Sequence, residues 1–440
     1  MSMVNAFDPE AESGLSPAEK DLVRRREKLL GPAYRLFYEK PVHIVRGEGV
    51  WLHDPSGQAY LDVYNNVASV GHCHPRVVEA LSRQAATLNT HTRYLHETIL
   101  DYAERLLARV PSELGHVMFT CTGSEANDLA LRVARAYTGR RGLIVTKLAY
   151  HGVTSAVAEI SPSLGDYVPR GDHIRLIPAP DAYRGDGDVG ARMARDVREA
   201  VADMRAHGIE PAALLVDTIF SSDGVFAEPV GFLRPAVEAI RAEGGLFIAD
   251  EVQPGFGRVG PDFWGFARHG LVPDMVTVGK PMGNGHPMAG VFVKPRLVED
   301  FGRKARYFNT FGGNPVSCAV GLAVLDVIEG EGLAESAREV GDYMRAGLRD
   351  LAGRHPAIGD VRGAGLFIGL ELVVDRAGKA PASALTTRVV NGLRERRVLI
   401  SATGPGANIL KIRPPLVFRR EHADIFLDRM AAVLEDVAAQ

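Results

Sequence analysis

What this sequence has little of narrows its class before any motif is considered. Three cysteines, Cys73, Cys121 and Cys318, are all that 440 residues contain. An odd number of widely spaced thiols makes no disulfide framework, so a reducing, cytoplasmic setting is expected. No apolar run is long enough to span a bilayer, and the start, MSMVNAFDPEAESGLSPAEKD, lacks a basic stretch followed by an apolar core. A soluble, unexported protein is therefore expected. Charge of one sign is also missing: 51 basic and 54 acidic residues, interspersed, leave a formal charge of -3. That balance argues against a nucleic-acid or membrane-surface partner. The one notable basic cluster, Arg24, Arg25 and Arg26, reads as a solvated helix face.

Internal repeats and low-complexity linkers are absent as well. The first twenty residues are polar and read as loosely held or draped over a partner. The chain exceeds the size at which a single core keeps growing, so a large domain with a smaller one is expected. From Val42 to Val63, short β-prone runs broken by Gly47, Gly49 and the Asp54 to Gly57 turn predict small strands. Residues 95–110 repeat apolar side chains at helical spacing through Leu95, Ile99, Ala103, Leu106 and Val110. Beyond them VMFT, GLIVTK, ALLVD, GLFIAD, MVTVGK and AGVFV read as buried strands, with helical segments between several of them. That alternation predicts an α/β layer with a mostly parallel sheet. After about residue 330 the pattern becomes helix, short mixed strands and a last helix. The expected division is an N-terminal segment belonging partly to a small domain (1–75), a large domain (76–330) and a C-terminal small domain (331–440).

Three stretches carry chemistry. TCTGSEAND (120–128) joins a strand to a helix through Gly123 and Ser124, and backbone N–H groups at such a start suit a phosphate. The plainer account is a capped helix with Ser124 as cap and Asn127 three positions on. In FIADEVQPGFGR (247–258) a buried strand ends in Asp250, a position that faces a crevice in a parallel sheet. A carboxylate there serves as metal ligand, general base or partner of a protonated ring nitrogen. In MVTVGKPMGNGHPMAG (275–290) Lys280 sits on a turn at another strand end, where burial would lower its pKa and favour a Schiff base with an aldehyde. The GNG here lacks the context of a dinucleotide motif. Together, a phosphate nest, a buried acid and an imine-forming lysine are what pyridoxal 5′-phosphate requires. A cofactor-free Schiff-base lyase would need only the lysine.

GHCHP (71–75), TGSEAN (122–127), YHG (150–152), IADEVQPGFGR (248–258), the Lys280 turn and NTFGGNP (309–315) occur in this order. In this the chain resembles the class III (ω-type) aminotransferases of the fold-type I pyridoxal phosphate enzymes, over about residues 35 to 435. The resemblance implies that fold, with a mostly parallel large domain and a smaller α+β domain. It further implies that Gly123 and Ser124 bind the cofactor phosphate. Tyr150 and Val252 would flank the ring, Gln253 would approach its hydroxyl and Asp250 would pair with its nitrogen. Lys280 would hold the aldehyde and then shuttle a proton. Thr310 would reach the phosphate of the neighbouring subunit, which implies a homodimer, or a tetramer built from it, with interfacial active sites. In such a family GHCHP is structural, and no metal is expected.

Two departures from the family pattern bear on the substrate. Asp217-Thr218 stands where many members carry Glu-Pro. In NILKIRPPLVF (408–418), Lys411 occupies the place where the family's aminotransferases usually hold a carboxylate-binding arginine, with Arg413 two residues on. Lysine is a compact charge that suits a phosphate as readily as a carboxylate. Residues 90–106, 151–162, the MGNGHP run, 307–326 and LKIRPPLVF are similar to the ethanolamine-phosphate and phosphohydroxylysine phospho-lyases. The resemblance therefore points to loss of phosphate and ammonia from a phosphorylated amine such as phosphoethanolamine, with Arg93, Lys411 and Arg413 as contacts for its anionic group. The alternative is an ω-transaminase passing an amino group to a keto acid such as pyruvate.

Overall fold

A computed structural model of the chain describes residues 5–9 and 14–438. Residues 1–4 and 10–13, within the polar stretch expected to be loose, lie outside it. The rest of that stretch is more ordered than expected. A helix, Pro17–Leu30, starts from a capping box in which Ser16 and Glu19 bond each other's backbone, and Pro17 presets its first turn. Its Val23 packs with Phe7 and Leu15, and Phe7 N donates to Leu36 O at 2.9 Å. Arg24 and Arg25 lie exposed on this helix.

The six runs read as strands all belong to one seven-stranded sheet. Its order is His116–Thr120, Ala289–Val293, Met275–Val278, Leu246–Asp250, Pro211–Asp217, Gly142–Thr146, Ile174–Ile177. Only Ala289–Val293 runs antiparallel to its neighbours. Both faces are covered. Leu214, Val216, Phe247, Ala249, Val276 and Val278 face one apolar cluster, while Ala213, Leu215, Leu246, Ile248 and Met275 face another. Double burial is why these strands read as continuous apolar runs and not as alternating ones.

Register brings the strand ends into line. Asp217 pairs with Asp250, Asp250 with Thr277, and Thr120 with Ala289, beside Val278. The helix Gly123–Thr138, which follows Thr120, therefore starts at the same edge of the sheet from which Asp217, Asp250 and Lys280 emerge.

Two smaller sheets complete the chain. Arg46–Glu48, Trp51–His53 and Ala59–Asp62 pair in sequence, and Val398–Leu399 adds in parallel to the last of them. Ile358–Ala364, Phe367–Leu372, Ile409–Ile412 and Ser401–Thr403 form the other, antiparallel throughout. Lys411 lies on its strand Ile409–Ile412, between Gly369 and Ser401.

Helix Leu333–Arg354 meets this sheet through two glycines. A Cβ on Gly341 would overlap the carbonyl of Gly365, whose φ of +52° belongs to the left-handed region. Gly341→Ala forces backbone apart and is expected to cost about 1–3 kcal/mol. A lower midpoint in urea-induced unfolding is the check, and an unchanged midpoint would show that the helix can slide away freely.

Candidate active site

The aligned strand ends surround a cavity of about 250 Å³, lined among others by Gly123, Ser124, Tyr150, Asp250, Val252, Gln253 and Lys280. The structure thus brings seven of the sequence-predicted residues together. Arg93, Thr310, Lys411 and Arg413 do not line it. The last two stand next to it: Arg413 donates to Gln253 Oε1 and to Asn66 Oδ1, the latter at 2.9 Å. Arg93 and Thr310 lie on exposed segments, Arg93 with its guanidinium 3.8 Å from the centre of the Phe308 ring.

The phosphate-suited end rests on a helix start. Its cap is Thr122, not Ser124: the Thr122 hydroxyl accepts from Glu125 N, and Glu125 Oε2 accepts from Thr122 N at 3.0 Å and Cys121 N at 2.8 Å. Glu125, not Asn127, closes the box. The amides of Gly123 and Ser124 point along the helix axis with no protein acceptor among the described residues, as an anion site requires. A Cβ on Gly123 would come within 3.1 Å of Val252 Cγ2. Gly152, at φ +140°, lets its backbone press on Ser124, and Ser124 Oγ accepts from Val153 N at 3.0 Å.

Asp250 is nearly sealed from solvent and fixed from three sides. His151 Nδ1 donates to Oδ2 at 2.7 Å, Asn127 Nδ2 to the same oxygen at 3.0 Å, and Val252 N to Oδ1 at 3.0 Å. Asn127 is itself held by Thr277, whose hydroxyl donates to Oδ1 at 2.7 Å, and it donates to His151 O at 2.8 Å. Sequence reasoning missed His151 and Asn127 as partners of Asp250, although YHG and TGSEAN both flagged the positions. His151 Nε2 is buried with no protein partner among the described residues. A polar atom left open beside a carboxylate is what a site built for a further polar group displays.

Lys280 opens a short turn whose geometry is pegged from outside. Asn284, at φ +47°, accepts from Val70 N at 2.9 Å and donates to Gly71 O at 2.8 Å, and Ser69 Oγ donates to Pro281 O at 3.1 Å. Burial pushes the Lys280 ammonium below its ordinary pKa, and the Arg413 charge adds to this, while Asp250 and Asp217 pull it back. The Lys280 Nζ lies 6.0 Å from the centre of the Tyr150 ring. Burial, then Asp250, raises the Tyr150 phenol.

Charge around the cavity is unevenly paired. Lys411 is buried, its ammonium makes no hydrogen bond or ion pair with any described residue, and its pKa is driven well below the usual value by burial and then by Arg413, against the pull of Asp217 and Asp223. Arg413 stacks 4.4 Å from the Tyr64 ring centre and leaves its buried Nε without an acceptor. Arg258, also buried, donates to the Leu366 and Pro414 carbonyls, and burial with Arg413 brings its pKa down to about 9. On the acidic side, burial raises Asp217, Asp223 to about 6 and Glu251 to about 8. In GHCHP, His72 bonds Asp62 at 2.7 Å and His74 turns to Glu331 at 3.3 Å. Among the described residues no group of three or more His, Cys, Asp or Glu side chains could hold a metal ion, and no helix is long and apolar enough to cross a membrane.

A lysine and an acid at neighbouring strand ends of a mostly parallel sheet, facing an open helix start, define the fold-type I pyridoxal phosphate enzymes. Residues 37–434 match the family profile described as aminotransferase class-III, and the chain belongs to that family of pyridoxal phosphate enzymes. A phospholyase from Arthrobacter, solved in complex with phosphoethanolamine, is 45% identical, with a TM-score of 0.91 over 94% of this chain and 99% of that one. The alanine–glyoxylate aminotransferase 2-like protein of Drosophila melanogaster is 43% identical over 93% of this chain and 86% of its own length. The ethanolamine-phosphate phospho-lyase homolog 1 of Caenorhabditis elegans is 37% identical over 92% and 91%.

Glu251 provides a test of the buried acids. Its carboxyl accepts from Thr218 Oγ1 at 2.6 Å and from the amides of Gly265 and Phe266, each at 2.8 Å, with no ion pair among the described residues. Because its folded pKa is raised from 4.5 to about 8, the stability tied to its proton is complete below 4.5 and lost as pH rises through about 8. The Glu251→Gln variant, less stable throughout because its amide nitrogen meets a backbone N–H, should lose less of its stability across that window. Urea midpoints of both proteins measured at a series of pH values decide it. Parallel curves would remove Glu251 as the titrating group.

Proposed function

We propose that this enzyme is an amine phospho-lyase, removing phosphate and ammonia from a phosphorylated amine such as phosphoethanolamine. Lys411 carries the reading: it is a buried amine with no ion pair among the described residues, beside the cavity, where the family's aminotransferases usually hold a carboxylate-binding arginine, and an anion brought next to it would favour its charged form. The two relatives named as phospho-lyases, 45% and 37% identical, support it.

The residues present fit pyridoxal phosphate. The open amides of Gly123 and Ser124 would hold its phosphate, Tyr150 and Val252 would flank its ring, and Gln253 would approach its hydroxyl. Asp250 would pair with its ring nitrogen and Lys280 would hold its aldehyde carbon. When bound, the cofactor stabilises negative charge on the substrate carbon next to the amine nitrogen. Lys280, whose charged form is disfavoured by burial and Arg413, is the base that takes the proton from that carbon. Asn127, His151 and the Val252 amide orient the lone pairs of Asp250 throughout. Lys411 and Arg413 offer positive charge to the phosphate as the C–O bond breaks and its electron pair leaves with the phosphate oxygen. For phosphoethanolamine the balance is substrate plus water giving acetaldehyde, ammonia and phosphate.

Arg93 and Thr310 fit a homodimer with shared sites. Neither lines the cavity of its own chain, and both lie on segments whose apolar side chains Leu95 (103% exposed), Tyr94 and Phe311 face outward. A second copy would cover that surface and receive Thr310 at its cofactor phosphate and Arg93 at its substrate. A cytoplasmic setting and a division at residues 75 and 330 belong to the same proposal.

Membership of the aminotransferase family favours a second reading, transfer of the amino group to a keto acid. Phosphate and ammonia released from phosphoethanolamine without any keto acid is the expected result. Rapid transfer to pyruvate with no phosphate released would reverse the order of the two readings. Replacing Lys411 or Arg413 with alanine is expected to raise KM for phosphoethanolamine about 10- to 100-fold, the loss of one hydrogen bond to a charged group, with the visible cofactor band retained. An unchanged KM would remove that residue from the substrate site. Lys280→Ala should abolish both the borohydride-sensitive band and turnover.

A further inference from the structure

Among the cavity's polar side chains whose part in the reaction is unassigned, one lies in the MGNGHP run. His286 lines it together with Lys280, Gly285 and Pro287. Its Nε2 lies 2.8 Å from Ser317 Oγ. The surroundings of Ser317 settle which of the two carries the proton. Asn314 caps the helix Pro315–Gly330, its Oδ1 accepting from Ser317 N at 2.9 Å, so the opposite side of the amide presents Nδ2. That Nδ2 donates to Ser317 Oγ at 2.8 Å and occupies one lone pair of the hydroxyl. Among the described residues the only acceptor for the hydroxyl hydrogen is His286 Nε2. An Nε2 that accepts leaves the imidazole proton on Nδ1. Burial lowers the pKa of the ring, which favours its neutral form. The Nδ1–H finds no protein acceptor among the described residues.

We propose that His286 is a specificity-determining residue which, fixed as the Nδ1–H tautomer by Ser317 and Asn314, donates a hydrogen bond to a phosphate oxygen of the substrate. This rests on the phospho-lyase reading and adds a directional donor to the charge supplied by Lys411 and Arg413. No proton is transferred: the ring stays neutral and the phosphate leaves as an anion. A neutral donor whose proton cannot move to Nε2 without leaving the Ser317 hydroxyl hydrogen with no acceptor among the described residues favours a group rich in acceptor oxygens over a bare amine or alkyl terminus.

Two substitutions separate the ring nitrogens. His286→Asn places an amide N–H near the position of Nδ1, whereas His286→Gln reaches the position of Nε2 and keeps a bond to Ser317 while losing the donor. The ligand is 3-aminopropylphosphonate, in which carbon replaces the bridging oxygen so that nothing can leave, titrated calorimetrically into the holoenzyme. The Gln variant should bind it at least about tenfold more weakly than wild type and the Asn variant within about threefold, with the cofactor band of both unchanged. In phosphate release the Gln variant should show the same loss, mainly in KM. Equal binding by wild type and the Gln variant, or equal weakening of both variants, would overturn the assignment. A wild-type enzyme that transaminates without releasing phosphate would instead overturn the phospho-lyase reading, and the calorimetric comparison would still decide whether His286 contacts the phosphonate.

Discussion

The site is organised around the fixing of one carboxylate. Asp250 ends a strand buried on both faces, where an unpartnered charge would cost several kcal/mol. Three donors reach it from three parts of the chain: Asn127 from the helix start, His151 from the loop after the strand Gly142–Thr146, and the Val252 amide from its own turn. Each donor is a residue of, or a neighbour of, an element that lines the cavity. Fixing the acid therefore also fixes the floor, one wall and the helix that presents its amides.

The cations show the opposite arrangement. Lys280, Lys411, Arg413 and Arg258 form no ion pair among the described residues, and each lowers the pKa of, or has its own lowered by, another member of the group, while Asp217, Asp223, Asp250 and Asp62 pull the other way. Such a cluster is unfavourable in isolation, and an anion entering it relieves the repulsion. Under the proposed roles, the same field that would make Lys280 a better base would make the neighbourhood of Lys411 a better anion host. In that proposal, acid–base chemistry and substrate choice are coupled through Arg413, which also donates to Gln253 at the cavity wall.

Much of this was legible in the sequence because the signals are local. Strands buried on both faces announce themselves as short apolar runs, and the residues that end them, Asp250 and Lys280, follow directly. The helix start at TGSEAN was legible too, but the cap was misplaced by two residues: both Thr122 and Ser124 satisfy a capping preference, and only the reach of Glu125 back to Thr122 decides. Ser16-Pro17-Ala18-Glu19 carried the same signature, yet the polar composition around it concealed an ordered helix. What the sequence could not disclose were pairings across distance. Asn127 and His151 lie 123 and 99 positions from the acid they bind, and no local pattern encodes that. Register between strands, which aligns Asp217, Asp250 and Thr277, is a property of the assembled sheet alone.

Gly123 and Gly279 bring two backbone segments together with no side chain between them: a Cβ on Gly279 would lie 3.5 Å from Gly123 Cα. The gauge between the anion-holding end of the cavity and its lysine is therefore set by main chain against main chain. Residues elsewhere around the cavity, His286 among its lining and Lys411 beside it, can then be exchanged without altering that spacing. A scaffold of this kind can change its clientele while its inner dimensions stay constant.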